Sequence, residues 1–175
     1  MIISPLENTA IKYMGLYWKQ KRPFITQEFG LNPEVYGRFG LDGHNGTDFR
    51  CKVGTPIYAP IDGKVKVKDS KSKGYGLHVK IRGGDREVVL AHLSSVLVKD
   101  GDTLRLGQKI GYSGNTGFST GPHLHFGFRN IIVDRKVKDI FKWKVKNYDN
   151  GYMGYWDVMP YTLTFKGTFR EYSIN

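Results

Sequence analysis

Gly121-Pro122-His123-Leu124-His125-Phe126 is the stretch on which the fold turns. On a strand, residues two apart share a face at a spacing of about 6.6 Å, so His123 and His125 project together while Leu124 and Phe126 face the opposite layer. On a helix the two rings diverge. Paired imidazoles on one rigid face raise the question of a metal, because neutral imidazole is among the commonest zinc ligands. A lone His-x-His is as readily a chance pair on a solvated strand, so the rest of the chain has to decide.

Outward from this stretch, the punctuation is that of an all-β protein. The chain contains 22 glycines, which break it into short apolar alternations: Phe24 to Phe29, Phe49 to Cys51, Gly63 to Val67, Leu77 to Ile81, Val88 to His92, Lys109 to Tyr112 and His123 to Phe128. No segment between them keeps a helical period. In Leu77 to Arg82 the apolar residues Leu77, Val79 and Ile81 share one face, which places His78 on the polar face as an expected surface residue of an antiparallel sheet. Pro56, Pro60 and Asp62-Gly63 bracket a hairpin-like unit, and Asp100-Gly101-Asp102 marks another turn.

At 175 residues the chain is of single-domain size and long enough to bury about 70% of its unfolded surface. Its one cysteine, Cys51, excludes an internal disulfide and reads as a small buried thiol. Lys and Arg number 27 against 16 Asp and Glu, a net charge of +11, which favours an anionic partner: nucleic acid, a membrane surface or an acidic wall polymer. Met1 to Lys21 carries no apolar run of signal-peptide length, because Glu7, Asn8 and Lys12 interrupt it. No later segment has the length and apolarity of a membrane span. The expectation is a chain made without Sec-type targeting, with residues 1–21 as an N-terminal extension and residues 22–175 as one domain.

After Asn130 the pattern changes. Ile131 to Asn150 interleaves Arg135, Lys136, Lys138, Lys142, Lys144 and Lys146 with Phe141, Trp143 and Tyr148, an alternation that suits a basic hairpin. Such a ribbon either binds a polyanion or covers the sheet as a solvated edge, and both remain open. Trp156 to Tyr161 reads as a closing segment, followed by an alternating tail from Thr162 to Tyr172.

A metal needs more than one pair of rings. His44-Asn45-Gly46-Thr47-Asp48 offers an imidazole and a carboxylate, but fully extended these lie about 13 Å apart, so the chain must turn between them. Gly43 and Gly46 permit that bend. An imidazole, a carboxylate and a second imidazole form a three-ligand set that leaves a fourth position for water, the catalytic rather than the structural arrangement. His92 ends the apolar strand Val89-Leu90-Ala91, and in isolation is as well explained as a satisfied core or edge histidine.

Taken in order, His44-x-x-x-Asp48, Ala91-His92-Leu93-Ser94 and Gly121 to Phe126 resemble the motifs of the lysostaphin-like, LytM-type zinc peptidases that cut peptide bonds in peptidoglycan. The resemblance extends to Gly54-Thr55-Pro56-Ile57-Tyr58-Ala59-Pro60-Ile61-Asp62-Gly63, to Gly107 through Gly117, and to Asp157 through Tyr161. It covers about Ile25 to Leu163, with residues 131–150 as an insertion. It implies that His44, Asp48 and His125 bind one Zn2+ per chain, and that His92 and His123 are catalytic histidines beside it. With no His-Glu-x-x-His helix in the chain, one of these two takes the proton of the metal-activated water and the other stabilises the oxyanion, expected in the order His92, His123.

The implied fold is an antiparallel β-sheet domain of the duplicated-hybrid-motif, barrel-sandwich-like type. Its zinc site would lie at the floor of a groove walled by Phe29 to Gly43, Asp69 to Tyr75 and Tyr112 to Thr120. The implied activity is a zinc-dependent endopeptidase acting on stem or cross-bridge peptides of peptidoglycan. Anionic wall polymers would be possible further partners, with no specific nucleic acid, no membrane and a monomeric state expected. The alternative is a non-catalytic wall-binding or regulatory module of the same fold. A wall hydrolase read without a leader resembles bacteriophage lytic enzymes, released at lysis or carried on the virion, and a bacterial protein lacking its leader would look the same.

Overall fold

The computed structural model of the chain describes residues 25–157. The expected N-terminal extension, Phe24, the Val158 to Tyr161 part of the closing segment and the alternating tail lie outside these residues.

Ten strands and one short helix follow in order: β1 (Ile25–Gln27), α1 (Pro33–Tyr36), β2 (Thr47–Arg50), β3 (Pro56–Tyr58), β4 (Gly63–Asp69), β5 (Leu77–Gly83), β6 (Arg86–Ala91), β7 (Leu93–Val96), β8 (Thr103–Leu104), β9 (Lys109–Ser113) and β10 (His123–Asn130). Single 3-10 turns occupy Gly37–Phe39 and Ile140–Lys142. Seven strands form one sheet in the order β1-β2-β10-β6-β5-β4-β8, and three form a second in the order β3-β9-β7. The paired strands run antiparallel throughout. The fold is the all-β, antiparallel architecture expected from the sequence.

Alternation explains how the large sheet is used. Phe49, Val65, Val79, Ile81, Val88, Leu90, Leu124, Phe126 and Phe128 point into one core, where Ile57, Leu93 and Ile110 of the small sheet meet them. The residues between them point the other way. On β10 these are His123, His125, Gly127 and Arg129, whose register partners include Asp48 and Arg50 on β2 and Ala91, Val89 and Glu87 on β6. This second face carries the candidate site.

Part of that face is covered. Tyr155 packs on Val89 and Ala91, over Gly127, where a Cβ would come within 2.9 Å of the Tyr155 ring. Further along, Glu87 lies buried between Arg82 and Arg129. Segment 131–150 leaves and returns antiparallel, through an Ile131–Val145 bridge and hydrogen bonds from the N–H groups of Ile132 and Lys146 to the carbonyls of Lys144 and Asn130. The carbonyls of Ile140 and Trp143 cap the Arg82 guanidinium, so this segment covers that end of the sheet face.

One expectation is corrected here. His78 is buried, at 3% exposure, not on the surface. Its Nδ1 lies 2.8 Å from the carbonyl oxygen of Gly76 and its ring packs against Tyr75. Strand alternation placed it on the right face, but the Asp69 to Tyr75 loop folds back over that face.

Candidate metal centre and groove

His44, Asp48 and His125 converge. His44 Nε2 lies 2.9 Å from His125 Nδ1, and Asp48 Oδ1 lies 3.1 Å from His44 Nε2 and 3.0 Å from His125 Nδ1. The backbone bends at Asn45 and Gly46 before β2 begins, which returns Asp48 to His44 as the spacing required. Register then aligns Asp48 with His125 across β2 and β10. Gly46 is obligatory for a packing reason, since a Cβ there would fall 2.5 Å from His125 Cε1 and 2.7 Å from the Phe126 carbonyl oxygen.

The donor set fits a metal. His44 Nδ1 faces the Glu28 carbonyl at 3.1 Å; a proton donated there leaves the Nε2 lone pair directed at the other two donors. Burial alone would push the Asp48 carboxyl up, but the polar contacts with His125 and His44 outweigh it and hold Asp48 well below the usual carboxylate range. Burial pushes the His125 imidazole down, against the opposing pull of Asp48. An ionised carboxylate beside an imidazole kept from protonation is what metal binding demands of Asp48 and His125. Donors of a tetrahedral site with bonds of about 2.0 Å lie about 3.3 Å apart, close to the separations found.

His92 and His123 stand alongside, ring centroids 4.5 Å apart. His123 Nδ1 is 2.7 Å from the Gly121 carbonyl and its Nε2 is 3.5 Å from Asp48 Oδ2. His92 Nδ1 is 2.7 Å from the Thr116 carbonyl. Each ring is thus oriented by a backbone acceptor that fixes its tautomer and leaves Nε2 for other chemistry. Burial, with His125 and His123 nearby, pushes the His92 imidazole down to about 4.

A cavity of about 490 Å3 opens over these five residues. The three expected walls all contribute: Asn32, Val35, Tyr36, Phe39 and Leu41 from the first, Gly74 and Tyr75 from the second, and Phe118, Ser119 and Thr120 from the third. Beyond the expected walls, the contacts of several lining or supporting groups come from the tertiary structure. Tyr75 stacks 5.1 Å from the His125 ring and accepts a hydrogen bond from Asn45 Nδ2. Thr116 holds the His92 anchor through its hydroxyl, which donates to the Leu93 carbonyl and accepts from the Leu77 N–H. Gln27 accepts from the Tyr36 hydroxyl, leaving its Nε2 buried without a partner at the groove. Met153 arrives from beyond the insertion. Thr116 lies within the Gly107 to Gly117 motif; Gln27 and Met153 carry no local sequence signal.

An antiparallel β scaffold that holds two histidines and an aspartate at one point, with two further imidazoles in the same groove, defines a metallohydrolase-type site. The family is more specific: the sequence profile of peptidase family M23 matches residues 42–139, and the chain belongs to that family. An uncharacterized metalloprotease of Haemophilus influenzae is 48% identical over 123 residues, which make up 69% of this chain and 26% of that protein. The peptidoglycan DD-endopeptidase ShyA of Vibrio cholerae is 47% identical over 85 residues, 47% of this chain and 19% of that protein. A crystal structure of a mutant catalytic domain of the prophage-encoded M23 protein EnpA from Enterococcus faecalis superposes with a TM-score of 0.53 at 37% identity, covering 63% of this chain and 83% of that one. The chain therefore spans about a quarter or less of the length of these two curated relatives. Among the described residues, no helix is long and apolar enough to cross a membrane.

Proposed function

We propose that this chain is a zinc-dependent endopeptidase that hydrolyses peptide bonds in the stem or cross-bridge peptides of bacterial peptidoglycan. The observation that carries the reading is the convergence of His44 Nε2, Asp48 Oδ1 and His125 Nδ1 at the floor of the groove, with His92 and His123 beside them. Family membership and the named activity of ShyA support the substrate class.

His44, Asp48 and His125 hold the ion. When bound there, zinc supplies Lewis acidity toward the scissile carbonyl and lowers the pKa of water. His92 accepts the proton of the attacking water; its Nδ1 faces the Thr116 carbonyl, which leaves Nε2 to take that proton. His123, whose Nε2 lies 3.5 Å from Asp48 Oδ2, donates to the developing oxyanion. The proton then passes to the departing amine as the C–N bond breaks.

The domain reading also extends as a proposal: residues 22–175 form one peptidase domain with an insertion at 131–150, preceded by an extension at 1–21, acting as a monomer. The charge of +11 supports attraction to anionic wall polymers. The likeness to a prophage-encoded domain supports a bacteriophage lytic context.

The test is mass spectrometry of soluble products after zinc-loaded protein is incubated with purified sacculi of several wall chemotypes. New peptide termini are expected, absent with His125→Ala, which also loses its metal. His123→Ala keeps the metal and loses at least about a hundredfold in turnover. Bound zinc with intact sacculi from every chemotype would replace this reading with the wall-binding module.

A further inference from the structure

The groove has a roof that the metal site does not require. Phe39, on the first wall, and Phe118, on the third, meet edge to face with ring centroids 5.3 Å apart and planes at 70°. Both line the cavity, yet they are 38% and 42% exposed, so the pair sits at the mouth with one side to solvent. The Arg38 guanidinium lies over the Phe118 ring, 5.7 Å from its centroid. Arg38 is itself exposed, and among the described residues it has no carboxylate partner.

The cavity lining itself holds no lysine, arginine or glutamate; apart from the five residues of the candidate centre, its ionisable side chains are Tyr36 and Tyr75. A substrate carboxylate close to the cut bond finds no cation to pair with among those lining residues, and Arg38 supplies one at the rim. A planar guanidinium can exchange a contact with a ring for a bidentate pair with a carboxylate, which is the stronger interaction at an exposed site. The two halves of the roof are also unequal. Phe118 is anchored by its N–H to the Gly74 carbonyl, next to Gly117, whose backbone packs so closely on Gly76 that a Cβ would fall 2.3 Å from its nitrogen. Phe39 precedes Gly40, which has open space around it and a φ of +71°.

We infer that Arg38, Phe39 and Phe118 form an entrance clasp that selects peptides carrying a free carboxylate next to the scissile bond. Carboxylate binding draws Arg38 off Phe118, and Phe39 swings away on the Gly40 side to admit the chain. This rests on the peptidase reading above, and the carboxylate is either a chain-terminal or a side-chain group.

The test uses zinc-loaded protein and soluble peptides sharing one cut bond. One pair carries a side-chain carboxylate or its amide, and a second pair carries a terminal carboxylate or its amide. KM and kcat are measured for hydrolysis, and affinity is measured in parallel by calorimetry. The expected result is a preference of about tenfold for the carboxylate in one pair, expressed in KM and in affinity rather than in kcat. Arg38→Gln should bring that ratio to about one, Arg38→Lys should restore part of it, and Phe118→Ala should lower KM for acid and amide alike. Equal handling of acid and amide by the unmodified protein, or a preference that survives Arg38→Gln, overturns the clasp. Absence of hydrolysis with zinc bound overturns the peptidase reading instead, and the affinity ratio of unmodified to Arg38→Gln protein still decides the clasp.

Discussion

His92 adopts a backbone conformation that few non-glycine residues tolerate, with φ of +61°, at the point where the chain leaves β6 of one sheet for β7 of the other. Such conformations persist only where surroundings over-determine them, and they concentrate at functional sites. Here the surroundings are the Tyr75 carbonyl, which accepts from the His92 N–H, and the Thr116 carbonyl on Nδ1. The Thr116 hydroxyl fixes that carbonyl through Leu93 and Leu77. Thr116→Val removes both of these bonds while keeping the shape. It is expected to lower turnover by about tenfold or more with the metal content unchanged, read by steady-state kinetics beside metal analysis. Loss of metal together with activity would mean that Thr116 supports the ligands rather than the His92 ring.

The elements converge on β10, which supplies His123 and His125 and pairs with β2 on one side and β6 on the other. The loop into β2 has to pass directly beneath His125. Gly46→Ala should therefore displace the imidazole and reduce metal affinity by at least about tenfold, seen in a competition titration with a chelator, because the neighbouring atoms are ring and backbone. At the other end of the same face, Glu87 accepts from Arg129 Nε at 2.7 Å and pairs with Arg82. Arg129 in turn donates to the Met153 carbonyl and lies over the Tyr155 ring. This buried triad ties the segment that carries Met153 to the sheet. Glu87→Gln leaves two buried guanidinium groups without their anion, which costs about 3–5 kcal/mol. The melting temperature should fall by about 10 °C or more; an unchanged value would mean that solvent reaches the triad.

For the molecule as a whole, burial of titratable groups sets the response to acid. Burial pushes the His78 imidazole below its ordinary 6.5, so as pH falls through that value the unfolded chain takes up a proton that the folded chain refuses, and stability declines. Burial alone would raise the Glu87 carboxyl, but Arg129, Lys80 and Arg82 hold it below its ordinary 4.5. Below 4.5 the unfolded chain again binds the extra proton, and a second decline follows. Urea midpoints of the metal-free protein should therefore drop between pH 7 and 5, with His92 adding to the loss, and drop again below 4.5. His78→Gln should flatten only the upper step, by at most about 1.4 kcal/mol per pH unit. A midpoint that rises on acidification would contradict this balance.

Much of this protein is local and was legible without a structure. Seven strand segments follow from alternation and glycine punctuation, and the His-x-His spacing requires that His123 and His125 share a face once β10 is a strand. The bend between His44 and Asp48 follows from chain length alone. The short strands β7 and β8 and the four-residue helix α1 were not legible as separate elements, and β3 only within the hairpin-like unit at Pro56 to Gly63, because so few residues register a period only where a longer alternation contains them, as it does around β1 and β2. Alternation assigns a residue to a face and is silent on what covers that face. For this reason His78 was expected in solvent, and the Arg82–Glu87–Arg129 triad, the Met153 wall and the Phe39–Phe118 roof went unseen. The sequence by itself determined most of the strand segments, the shared face of His123 and His125 and the individual family motifs, each set by neighbours a few residues apart. Only the tertiary structure decided which loops close over the site face, because those contacts join segments from about 5 to 80 positions apart and leave no periodic mark on the chain.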